Sequence, residues 1–219
     1  MAVDKISPKV IERLTKYLRC LENSDGEDYI SSKDLADKMG FTAAQVRKDL
    51  ANFGEFGIRG KGYKVNTLYN DIEKILGINK INNVIIVGFG RLGSALYSES
   101  EFTKQRFNVV GIFDNSELKI GKSLKNIEIK NISELSNEIS KYSESVDIAI
   151  LTVPKFVAQE VSELIAESGI KAILNFAPIK LNLPESVVVE NIDLYAKLQE
   201  INYWKEKILK KAKKKVKKN

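Results

Sequence analysis

The spacing of apolar residues changes near residue 80, from a helical period before it to short uninterrupted runs after it, and this predicts two structurally different halves. In the first half, Ser7 caps a helix with Pro8 at its first position, and Ile11, Leu14, Leu18 and Leu21 share one face of it. Ser31, with Asp34 three residues on, starts a short helix, KDLADKM, that Gly40 stops. Thr42 caps a third helix, AAQVRKDLANF, which ends before Gly54. Two short helices joined across a glycine turn form the helix-turn-helix pattern. The next stretch, GEFGIRGKGYKV from Gly54 to Val65, sets four glycines around Ile58, Arg59, Lys61 and Tyr63. It reads as a tight hairpin with two cations at its tip, placed where a winged helix carries its wing. Asn66 or Thr67 then caps a last helix through Leu68, Ile72, Ile75 and Leu76, ended by Gly77.

Beyond a linker at Ile78 to Asn83, six strand-like runs follow: Asn83 to Val87, Val109 to Phe113, Ile127 to Ile129, Val146 to Leu151, Ala172 to Leu174 and Val187 to Glu190. Helical patterns separate most of them, which predicts a parallel sheet covered on both sides, the doubly wound α/β class.

Candidate chemistry sits on both halves. On a wheel of the third helix, Ala43, Val46, Leu50 and Phe53 share one face, while Ala44, Gln45 and Lys48 lie opposite with Arg47 on the flank. Arg or Lys suits guanine, Gln suits adenine and Ala packs on a thymine methyl, so this face holds the inventory for reading a major groove. A merely solvated face has the same composition, and the hairpin that follows favours the DNA reading. At that hairpin Arg59 or Lys61 enters a minor groove or holds phosphate, the alternative being a plain surface turn. Ser32, Ala44, Gln45, Arg47, Lys48, Arg59, Lys61 and Tyr63 make up the candidate DNA-facing set.

In the second half, the first apolar run ends in GFGRLG. Gly88 permits the tight turn, Gly90 lets the backbone approach a pyrophosphate, and Gly93 lets the following helix pack on the sheet. Asp114 ends the next strand and is placed to accept the ribose hydroxyls of NAD, its charge repelling the 2′-phosphate of NADP. A CoA-type or vestigial nucleotide fold is the alternative. Thr152, Val153 and Pro154 follow one later strand, and Asn175, Phe176, Ala177 and Pro178 another. Ligands of open α/β sheets lie along that edge, so both loops are candidates to meet the nicotinamide and its ribose, unless the prolines merely start the next element. The expected organisation is a winged-helix domain at 1–78, a Rossmann nucleotide-binding domain at 79–192, and a C-terminal helix with a lysine-rich tail at 193–219.

Composition narrows the function. The 219 residues include no histidine and one cysteine, Cys20, which argues against a zinc site and an internal disulfide. No run approaches the ~18 apolar residues of a membrane span, and the polar N-terminus MAVDKISPKV lacks the apolar core of a signal peptide. A reducing cytoplasm is the expected home. Nothing supplies the general acid or base a dehydrogenase sets beside the nicotinamide, nor a second lobe for substrate. The net charge of +6 comes from the end of the chain, where nine lysines oppose Glu206 between Lys205 and Asn219. Such a run reads first as a solvated end, although it also attracts polyanions. Before it, Asp193, Leu194, Leu198, Ile201, Trp204, Ile208 and Leu209 outline an amphipathic helix that either folds back on its own chain or exchanges with a partner subunit, giving the two-fold symmetry an inverted-repeat operator needs.

The runs ISSKDLADKMGFTAAQVRKDLANFGEFGIRGKGYKV, VGFGRLGSAL, IAILTVP and GIKAILNFAP, in that order, resemble the bacterial redox-sensing repressors of the Rex family over nearly the whole chain. The resemblance implies a homodimer that binds an A/T-rich inverted repeat when NADH is scarce and leaves it when NADH binds. It places the recognition helix at Thr42 to Phe53, the wing at Gly57 to Tyr63, and the nucleotide residues at Gly88, Gly90, Arg91, Leu92, Gly93 and Asp114, with Lys119 nearby. It also implies that Arg19 and Asp193 take part in the switch. Where the family carries a tyrosine implicated in sensing, this chain has Glu99, with Tyr97 two places earlier. A carboxylate beside the nicotinamide favours the cationic oxidised ring, so a narrower NADH/NAD+ discrimination is expected. Outside the resemblance, a small NAD-dependent oxidoreductase and a nucleotide-regulated protein-binding module remain open.

Overall fold

The computed structural model describes residues 6–24, 28–98, 106–142 and 145–216, with side chains to Lys211. They fall into two units, Met1–Ile81 and Asn82–Asn219.

The first unit runs α1 (Pro8–Glu22), β1 (Tyr29–Ile30), α2 (Ser32–Asp37), α3 (Ala43–Ala51), β2 (Gly57–Ile58), β3 (Gly62–Lys64) and α4 (Val65–Ile75). The expected caps of α2 and α3 are formed: Ser31 Oγ accepts from Asp34 N, and Thr42 Oγ1 from Gln45 N. Such caps satisfy the first amides of a helix and contribute about 1 kcal/mol each. Strands β2 and β3 close the hairpin at Arg59 to Lys61, and β1 pairs antiparallel with β3 to complete a three-stranded sheet. Two other expected caps are not formed: Ser7 makes no side-chain hydrogen bond to the start of α1, and α4 begins at Val65 without a side-chain cap from Asn66 or Thr67. The Val65 amide instead donates to Asp28 O, so β3 passes straight into the helix and needs no capping turn. Leu14, Tyr17, Leu35, Val46, Leu50, Leu68 and Ile72 form the core that holds α3 against α1 and α4.

The second unit comprises β4 (Asn82–Val87), α5 (Arg91–Ser98), β5 (Phe107–Asp114), β6 (Ser123–Leu124), β7 (Ile127–Asn131), α6 (Leu135–Ile139), β8 (Ile148–Leu151), α7 (Ala158–Glu167), β9 (Ala172–Asn175), β10 (Val188–Asn191) and α8 (Leu194–Val216). The sheet order is β10-β9-β8-β4-β5-β7-β6, parallel throughout except for β6, an antiparallel edge strand the apolar pattern does not announce. All six expected strands are present. Ile85, Val87, Ala149 and Leu151 face α6 and α7 across a continuous core. On the opposite face Val84, Ile86 and Ile150 meet Leu96 and Tyr97 of α5. Beside them lies an apolar trough of about 280 Å³ lined by Phe107, Ile148, Leu174 and Val188. Helix α8 presents Leu194, Leu198, Ile201, Trp204 and Ile208 to solvent, each more than half exposed.

Candidate functional site

Strand order, not chain direction, reverses between β4 and β8, which pair in parallel side by side at the centre of the sheet. Open α/β sheets bind ligands in the crevice beyond the carboxyl ends of such a pair. Three segments converge there. Gly88 N donates to Phe113 O, Thr152 N to Val87 O, and Thr152 Oγ1 to Gly88 O at 2.6 Å, tying the ends of β4, β5 and β8 together. Gly88 holds a φ of +95°, and a Cβ there would come within 2.9 Å of the Thr152 backbone and 2.8 Å of Val153. At Gly93, in the first turn of α5, a Cβ would lie 2.3 Å from Gly88 O. The turn can thus be built only with glycine at both positions, one for its backbone angle and one for close packing.

The turn is also held by Asp114. Phe89 N and Lys119 Nζ donate to its Oδ2 at 2.6 and 2.9 Å, and Ser116 N to Oδ1 at 2.8 Å. Burial alone would raise this carboxyl, but the Lys119, Ser116 and Phe89 hydrogen bonds outweigh it and hold it below the ordinary carboxylate range. It is therefore ionised at neutral pH. Two carboxylate oxygens offer roughly four acceptor sites, so a lone pair of Oδ1 remains for a ribose hydroxyl.

A cleft of about 640 Å³ opens over this turn, lined by Gly88, Gly90, Asp114, Lys119, Thr152, Val153 and Pro154 among the expected residues. The rest of its lining includes residues without a sequence signal: Asn131 at the end of β7 and Ile132 after it, Val157 just before α7, and Glu160 and Leu164 within α7. A strand-end asparagine is the one cue that could have found part of it, since Asn131 Oδ1 accepts from Ser133 N to start the next turn.

Several expected nucleotide residues lie elsewhere. Arg91 and Leu92 are exposed at the start of α5, outside the cleft lining. Asn175 is a correction: its side chain is fully buried, Nδ2 donating to Ala177 O, Ile179 O and Asn191 Oδ1 while Oδ1 accepts from Ala177 N. Both amide hydrogens are spent inside the protein, so this fully buried side chain braces its loop and has no donor left for a nicotinamide. Ala177 is buried with it, Phe176 packs on the α5 face of the sheet, and Pro178 is exposed away from the lining.

In the first unit, Ala44, Arg47 and Lys48 are exposed on α3, and Arg47 Nη1 reaches Ser32 Oγ at 2.9 Å, joining two residues of the DNA-facing set. Arg59 and Lys61 are exposed at the hairpin tip, with Lys61 Nζ 5.7 Å from the Tyr29 ring centroid. Tyr63 is a second correction. It is 7 % exposed and belongs to the core, because its inward register in β3 opposite Ile30 turns the ring away from solvent. Gln45 is half-buried rather than fully outward, with Nε2 donating to Asp49 Oδ1 at 2.7 Å.

Of the residues assigned to a switch, Arg19 is exposed in the last turn of α1, and Asp193 is the exposed cap of α8, its Oδ1 accepting from Ala196 N. Tyr97 donates its hydroxyl to Leu124 O of β6 at 3.0 Å and stands edge-on to Phe89, outside the cleft lining. Glu99 lies outside the described residues. Among the described residues no cluster of ligating side chains could hold a metal ion, and no helix is long and apolar enough to cross a membrane.

Residues 79–179 match a CoA binding domain and residues 5–51 a putative DNA-binding protein N-terminus. The chain is 46 % identical over 209 residues to a redox-sensing transcriptional repressor Rex of Caldicellulosiruptor saccharolyticus, covering 94 % of each, and 41 % identical to one of Thermosipho africanus, covering 91 % and 95 %. It is also similar to RSP solved in complex with β-NAD+ and operator DNA, with a TM-score of 0.88 and 41 % identity over 95 % of this chain and 97 % of that one. RSP in complex with β-NADH gives 0.83 and 39 %, over 95 % and 99 %.

Proposed function

The chain belongs to the Rex family of redox-sensing transcriptional repressors, and on that premise we propose that the cleft over Gly88 takes NADH or NAD+ while α3 and the hairpin of the first unit hold operator DNA. The protein is a regulator and not an enzyme. The observation that carries the site assignment is the convergence of the glycine turn, the ionised Asp114 and the Thr152 loop at one cleft, in a chain whose other unit displays Arg47, Lys48, Arg59 and Lys61. NADH releases the DNA, and by linkage operator DNA must weaken NADH affinity by the same factor. A cytoplasmic location and an A/T-rich inverted repeat as target belong to the same reading.

A homodimer completes it. The apolar stripe of α8 and the open trough on the sheet are two large hydrophobic surfaces, more than a lone soluble chain leaves to water. A second copy covers them, with α8 on its own subunit or exchanged, and presents two recognition helices to two half-sites.

A mobility shift of an inverted-repeat duplex tests the core of this reading. The protein retards the duplex alone and with NAD+, and releases it as NADH is added; retention undiminished at saturating NADH contradicts the assignment. Arg47→Ala and Lys48→Ala should each weaken operator binding by ~1 to 3 kcal/mol per lost base contact, measured by fluorescence anisotropy. Unchanged affinity in both would remove α3 from the DNA interface.

A further inference from the structure

Beneath the outward face of α3 lies a carboxylate that is itself out of reach of DNA. The Asp49 side chain is 1 % exposed. Its Oδ2 accepts from Arg13 Nε at 2.5 Å and from the Tyr17 hydroxyl at 2.6 Å, and its Oδ1 from Arg13 Nη2 and Gln45 Nε2, both at 2.7 Å. Four donors on two oxygens use its full acceptor capacity. Burial would raise the carboxyl, but the Arg13, Tyr17 and Gln45 hydrogen bonds prevail and keep it charged.

The consequence falls on Gln45. An amide can present either end to a neighbour, but a carboxylate accepts hydrogen bonds only, so Nε2 must turn inward and Oε1 outward. The outward edge of the amide then offers its carbonyl oxygen and the second N–H side by side. That is the pattern complementary to the N6–H and N7 edge of adenine in the major groove. A free glutamine would have to be ordered at the moment of binding; this one is held beforehand.

We propose that Asp49 is a positioning residue for operator specificity: anchored by Arg13 and Tyr17 of α1, it fixes the Gln45 amide so that α3 reads an A·T pair in each half-site. The inference rests on the reading of α3 as the recognition helix. It goes further in naming a residue that touches no DNA and a base identity that it controls.

The test uses the full-length protein and a duplex selected from a randomised inverted-repeat library, together with duplexes in which each A·T pair of the half-site is changed symmetrically to G·C. Gln45→Ala identifies the position at which preference for A·T disappears, expected to be about a tenfold effect. Asp49→Asn should erase the preference at that same position and nowhere else. The double variant should lose no more than either single one, as coupled residues do. NADH affinity should stay unchanged. If Asp49→Asn fails to fold by circular dichroism, Tyr17→Phe, which removes one donor and keeps the ring, should lower discrimination at the same position. Uniform weakening on every duplex, or a preference left intact in a folded variant, overturns the proposal. Failure of the parent protein to bind any inverted repeat would instead count against the recognition helix itself.

Discussion

Replacing Gly88 by alanine is expected to give a repressor that no longer responds to NADH. The residue sits at a φ of +95°, and an added Cβ would meet the Thr152 backbone at 2.9 Å and Val153 at 2.8 Å, so neither the torsion nor the packing can be kept. The Thr152 backbone is not free to retreat: Thr152 N is bonded to Val87 O and Thr152 Oγ1 to Gly88 O. Overpacking of this kind costs about 1 to 3 kcal/mol, and at the upper end that is about a hundredfold in nucleotide affinity. The helix-turn-helix belongs to the other unit, so operator binding without nucleotide should survive. NADH titration by calorimetry and a mobility shift with and without NADH check both halves. Nucleotide affinity within threefold of the parent would contradict the geometry of the turn.

The second large effect is expected from the last helix. Leu198 and Trp204 are 62 % and 61 % exposed on α8. Changing both to glutamate places two charges on a stripe that, on the homodimer reading, is buried between subunits. The variant should sediment as a monomer and bind an inverted repeat more than a hundredfold more weakly, because two half-sites are no longer held by one particle at high effective concentration. A single half-site duplex should be bound about as well as by the parent's individual subunit. An unaltered dimer would show that α8 is not its interface.

Much of this was legible in the chain because it is written locally. Ser31 and Thr42 announce α2 and α3 through caps a few residues long, and Gly88, Gly93 and Asp114 mark the turn through spacing alone. What the sequence does not show depends on partners far along the chain. Arg13 and Asp49 are 36 residues apart, and nothing near either predicts that they pair or that Gln45 turns partly inward. Tyr63 has the look of a wing residue until the register with Ile30 sets its direction. Asn175 ends a strand at the ligand edge, as a binding residue would, but the loop after it curls back and takes both amide hydrogens. Part of the cleft lining comes from α7, a helix whose apolar face reads as ordinary core.

The same asparagine has a mechanical consequence. Asn175 Nδ2 grips Asn191 Oδ1, and Ile192 N donates to Asn175 O, two residues before α8 begins. The base of that long rod is therefore bolted to the ligand edge of the sheet. It behaves as a cantilever clamped at its root: a small tilt of the β9 loop is carried outward along some 23 residues and magnified at the tip.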